Sequence, residues 1–168
     1  PEPMQVIRTV VHCLPGVVAV VDDVASADGQ SLALRWHTAR RAKLHDDGRF
    51  DFTTTKAHMA ARIVSLGEEE VTVSVAAHEY QPPYHMDRVG APLVQRREPF
   101  VLVRPSGATA RILSLFAVSP AAEATANWSG TGDRFRIRTT DGEYAVTCRD
   151  NTLAISRGAE TVWRVALP

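Results

Sequence analysis

The sequence predicts an all-β protein, a large antiparallel β-sandwich with little or no helix. Three observations carry that expectation. Apolar residues recur at two-residue spacing in segment after segment, which lines one face of a strand. Asp-Gly, Pro-Gly, Asp-Asn and Arg-Gly pairs separate those segments at short intervals. No stretch shows a convincing helical period, so the total is about a dozen short strands, with a barrel as the nearest competing architecture.

The elements follow in order. Val6 to Cys13 alternates, and Leu14-Pro15-Gly16 breaks it. Val17 to Val21 is apolar without interruption and stops at Asp22-Asp23, as expected of a central strand covered on both sides. A turn around Asp28-Gly29 leads to Leu32, Leu34 and Trp36 on one strand face. His45-Asp46-Asp47-Gly48 reads as a turn, and Phe50 and Phe52 alternate with polar residues after it. Lys56 to Leu66 tolerates a helix, but its neighbours favour a strand. Val71, Val73, Val75 and Ala77 form the clearest strand face of all.

Glu79 to Pro92 contains three prolines and a glycine, which prevent a regular ladder. Strands resume at Phe100–Val103, turn at Pro105-Ser106-Gly107 and return through Ala110–Val118. Ala121 to Gly132 reads as a connection with one short strand. Four strands then follow, separated by Asp141-Gly142, Asp150-Asn151 and Arg157-Gly158. Residues 1–168 therefore read as a single domain.

With 168 residues the chain is long enough to bury a proper core. Formal net charge is zero, so nothing global steers it toward nucleic acid or an acidic membrane surface. No apolar run approaches the ~20 residues of a membrane-spanning helix. The chain opens Pro-Glu-Pro, which suggests a processed product or a piece of a longer polypeptide. Cys13 and Cys148 fall on apolar strand faces and are expected to be buried thiols rather than a disulfide.

Several constellations could carry chemistry. Asp22, Asp23 and His37 lie at strand ends, and Asp23 with His37 is the candidate pair for a divalent metal. The plainer alternative is a turn cap and a local hydrogen bond. Tyr80, Tyr84, His85, Asp87 and Arg88 cluster in the Pro-rich segment, and Tyr84, His85 and Arg88 are candidates to contact an anionic substrate. Arg134, Arg136 and Arg138 share a strand face opposite Phe135 and Ile137. Such a row suits carboxylate or sulfate groups of a polysaccharide, or else simply discourages edge-to-edge aggregation. Trp128, in the polar run Asn127-Trp128-Ser129-Gly130, is the best candidate for a sugar-stacking platform, whereas Trp36 and Trp163 are expected in the core. Asn127-Trp128-Ser129 also matches a glycosylation sequon.

Two patches carry a family resemblance. Arg8 with its apolar strand, the Pro15-Gly16 turn, VVAVVDDV at Val17–Val24 and LRWH at Leu34–His37 form the first. FVLVRPSGATARILSLFAVSP, from Phe100, forms the second. Together they resemble the C-terminal β-sandwich region of heparinase II/III-like polysaccharide lyases, over most of residues 5–120. The resemblance implies a parent enzyme that cleaves uronate-containing polysaccharides by β-elimination, with an α/α toroid domain preceding the sandwich. The lyase residues of that family lie chiefly on the toroid, so no catalytic residue is assigned here. Its zinc-binding members take their ligands upstream of the matched stretch. The expectation is therefore no cofactor in this chain and a divalent metal such as zinc, if any, in the parent. Implied partners are the toroid domain, an acidic polysaccharide and a second copy in a homodimer; the implied location is periplasmic or secreted. A carbohydrate-binding module and a purely structural sandwich are the alternatives from other classes.

Overall fold

The computed structural model describes residues 4–27, 31–79, 86, 88–91, 97–123 and 126–168. Among these the chain forms fourteen strands and one 3-10 turn. The strands are β1 (Gln5–Cys13), β2 (Val17–Ala25), β3 (Leu34–His37), β4 (Lys43–Leu44), β5 (Arg49–Thr53), β6 (Ala57–Ser65) and β7 (Val71–Glu79). They continue with β8 (Arg97–Pro105), β9 (Thr109–Pro120), β10 (Asn127–Thr131), β11 (Arg134–Thr139), β12 (Gly142–Arg149), β13 (Thr152–Arg157) and β14 (Glu160–Ala166). The 3-10 turn is Ala121–Glu123. The all-β expectation holds, and Lys56 to Leu66 resolves as a strand.

Three antiparallel sheets are built from these strands. The largest has the order β1-β2-β9-β6-β5-β4; the others are the meander β10-β11-β12-β13-β14 and the small sheet β3-β8-β7. Alternation along β2 and β9 explains how they stack. Val17, Ala19, Val21, Leu113, Leu115 and Ala117 face the meander, where they meet Phe135, Ile137, Tyr144, Val146, Leu153 and Ile155. Val20, Val24, Ile112 and Phe116 point the opposite way and meet Val101 and Val103 of the small sheet. The six-stranded sheet is thus a middle layer with a core on each face. That is why β2 has no polar face, as the uninterrupted run Val17 to Val21 requires.

An ion pair interrupts the second of those cores. Asp22 is fully buried and accepts from Arg8 Nε at 2.5 Å and Nη2 at 3.1 Å. Arg8 is its register partner on β1, and its guanidinium lies 4.9 Å over the Trp36 ring. Trp36 in turn meets Phe116 edge to face at 4.9 Å. Trp36, partly buried, therefore packs against the core in line with the expectation, but Trp163 does not. Trp163 lies on β14, an edge strand of the meander that among the described residues pairs only with β13, and is 51% exposed. Cys13 is buried and Cys148 partly so; both are free thiols, and burial raises the pKa of each.

Turn chemistry follows the sequence. Asp150 and Asn151 have φ of 48° and 52°, the left-handed pair that a two-residue hairpin favours. Gly16 leaves space that a Cβ would fill by colliding with the Val118 carbonyl. The Asp28-Gly29 turn lies outside the described residues.

Candidate functional site

The meander ends in the edge strand β10, and the chemistry of the molecule concentrates around it. The register pairs Asn127 with Arg138, Trp128 with Ile137 and Ser129 with Arg136. Ile137 is fully buried, so Trp128 turns inward toward the middle sheet. Asn127, Ser129, Arg136 and Arg138 occupy the outer face. Gly130 has φ +95°, and a Cβ there would collide with the Arg134 carbonyl, so only glycine allows this close hairpin. Arg62 of β6 spans the layers: its Nη1 donates to the Gly130 carbonyl at 3.1 Å and its guanidinium lies 5.3 Å over Phe135.

Between β10 and the β5–β6 part of the middle sheet lies a cleft of 340 Å³. His45, Arg49, Asp51, His58, Asn127 and Trp128 line it. Local sequence and register set these positions. The Asp46-Asp47-Gly48 turn, with Gly48 at φ +77°, folds His45 back toward β5. His45 Nε2 then lies 2.5 Å from Asp51 Oδ1. Asp51 pairs with Ala60 and Thr53 with His58, so the small Ala60 leaves space between two polar neighbours. His58 Nδ1 and Thr53 Oγ1 are 2.9 Å apart. Arg49 pairs with Asp47 at 2.6 Å and holds that carboxyl below its ordinary pKa.

A second depression, of 360 Å³, lies on the outer face and shares Asn127 and Trp128 with the first. Ser129, Arg136, Arg138 and Glu143 complete it. Arg136 Nη1 and Arg138 Nη2 donate to the two oxygens of Glu143, each at 3.0 Å. Arg138 first and then Arg136 keep the Glu143 carboxyl below its usual range.

The predicted residues fare unequally. Arg134, Arg136 and Arg138 do share an exposed face opposite the buried Phe135 and Ile137. Trp128 turns toward the other face of the meander, though it also lines the outer depression beside Arg136 and Arg138. Asp22 and Asp23 point to opposite faces of β2. Arg111 takes Asp23, and the same guanidinium donates to Asn151 Oδ1 and the Pro168 carbonyl, both at 2.6 Å. His37 lies on the outer face of the small sheet, where it and His78 flank Glu98 at 3.2 Å each. Asp23 and His37 are therefore in different sheets, and the pair does not fit a shared divalent metal. No group of three or more His, Cys, Asp or Glu among the described residues could hold one. Tyr80, Tyr84, His85 and Asp87 lie outside the described residues; Arg88 is exposed in a turn.

His45, Asp51 and His58 are the site residues that sequence reasoning missed. His45 looked like part of a turn, and His58 stood in a segment whose strand was ambiguous. The small Ala60, opposite Asp51 in the register, was the local hint of space.

Fold and site together define an all-β antiparallel sandwich domain whose polar and aromatic chemistry gathers at a sheet edge. No protein-family model and no curated protein matches the sequence. Among solved structures the chain is similar to heparinase III: one structure with methylated lysines at 12% identity and TM-score 0.55, covering 99% of this chain and 24% of that one. A second heparinase III structure gives 12% identity and TM-score 0.54, covering 98% of this chain and 24% of that chain. At that identity the likeness shows a shared fold and a distant structural relationship. The chain spans about a quarter of the length of the structures it matches.

Proposed function

We propose that this chain is the C-terminal β-sandwich domain of a heparinase II/III-like polysaccharide lyase. The observation that carries the reading is the structural match of nearly its whole length to part of heparinase III. The strand motifs around Val17–Val24, Leu34–His37 and Phe100–Pro120 support it independently. In the parent, β-elimination needs a base for the proton α to the uronate carboxyl, neutralisation of that carboxylate and an acid for the leaving oxygen. Those groups would come from the toroid, with the sandwich bracing it and walling one side of the cleft.

The test is a lyase assay on the longer protein and on the 168-residue chain side by side, over a panel of uronate polysaccharides. The ultraviolet absorbance of the unsaturated product reports turnover. Activity is expected in the longer protein alone. Turnover by the isolated chain, or by neither protein, would overturn the reading. A non-catalytic glycan-binding module is the second reading, favoured by the Trp128 cleft.

A further inference from the structure

The geometry points to a sugar-binding site of the chain's own at the edge of the meander. We propose that the cleft between β5–β6 and β10 seats one pyranose ring, and that the adjoining arginine depression takes the acidic substituent of the next ring. This goes beyond the assignment of the domain and stands on the cleft itself.

Six features support it. Sugar rings combine an apolar face with a rim of hydroxyls, so their sites pair an aromatic ring with converging hydrogen-bond groups. Trp128 is half-buried in the cleft wall, and Asp51, His45, His58 and Asn127 surround the same space. The polar groups are pre-set: His45 orients the Asp51 carboxylate at 2.5 Å, and Thr53 holds Nδ1 of His58 at 2.9 Å, which fixes the imidazole. They stand on strands and a tight turn, which position side chains more precisely than a long loop does.

The outer depression adds charge. Two guanidinium groups share the single carboxylate of Glu143, so the pair keeps one excess positive charge. Their planar forks suit a carboxylate or sulfate. Asn127 and Trp128 line both spaces, so a ligand of two or more rings can cross β10. Among the described residues β10 has β11 as its only strand neighbour, which leaves backbone groups on its outer edge for hydroxyls.

Isothermal titration calorimetry on the 168-residue chain tests this with two probes, tetragalacturonate and its methyl ester. The rings are the same and only the ester lacks negative charge. Both are expected to bind, the acid more tightly and with the stronger salt dependence. Asp51→Asn and Asn127→Ala should weaken both probes by about tenfold, equivalent to ~1.4 kcal/mol. Arg136→Ala with Arg138→Ala should weaken the acid to the level of the ester and leave the ester unchanged. Trp128→Ala loosens packing against the core as well as removing the ring, so Trp128→Phe accompanies it; the phenyl variant should retain most of the affinity. Trp163→Ala, on the opposite edge strand, should change nothing. A folded chain that gives no binding heat with either probe overturns the site, and so does binding that Asp51→Asn leaves intact. Neither result touches the lyase reading, whose assay measures turnover by the longer protein.

Discussion

Asp22 illustrates how one residue decides more than its type suggests. Its carboxylate has no exposure at all, beside a core made mostly of valine, alanine, isoleucine and phenylalanine. A charge placed there is tolerable only because Arg8 answers it with two donors from the neighbouring strand. Arg8 is itself 43% exposed and covers Trp36 with its guanidinium. Replacing Arg8 with Ala is therefore expected to destabilise the fold by about 2–3 kcal/mol, below the full penalty for a wholly buried pair. Urea denaturation followed by tryptophan fluorescence checks this. Restoring most of the loss by adding Asp22→Leu would identify the stranded carboxylate as its cause.

At the scale of elements, the edge strand β10 is the part on which the site depends. It is five residues long, four of them glycine or small polar residues, and it is held by β11 and by the Arg62 bond to Gly130. Gly130→Ala is expected to cost about 1–3 kcal/mol, because the position has a left-handed φ and no space for a Cβ. Hydrogen exchange should then show faster exchange confined to β10 and β11. A uniform loss of protection across the middle sheet would argue that β10 supports the whole fold. Arg111 does the corresponding work on the other side of the meander, tying β9 to Asp23, Asn151 and the Pro168 carbonyl at once.

Across the whole molecule, surface carboxylates set the acid limit. Arg149 holds Asp133, Arg138 and Arg136 hold Glu143, and Arg49 holds Asp47, each below its ordinary value of 3.8 or 4.5. The unfolded chain, with the ordinary values, takes up protons first as pH falls. The stability from these pairs is therefore complete above about pH 4.5 and is lost as pH drops through the depressed values. A lower urea midpoint at about pH 3 than at about pH 6 is expected, with added salt narrowing the gap because the pairs are exposed. A midpoint indifferent to pH over that range would refute the contribution.

What the sequence determined by itself was local. Alternation at two-residue spacing placed β7 and β11, the apolar run Val17–Val21 announced a strand covered on both faces, and Asp150-Asn151 announced its hairpin. Each of these depends on neighbours along the chain. The outward arginine row was legible for the same reason, since Phe135 and Ile137 alternate with it. The tertiary structure decided how many layers there are, which strand becomes an edge, and what lies across from what. Trp163 shows the difference: its spacing suits a core position, but β14 is an edge strand and leaves the ring exposed. The cleft shows it too, because His45 and Asp51 meet Trp128 only through pairings far apart in sequence. Antiparallel register and sheet stacking are non-local, and no single strand's pattern records which partner it will face.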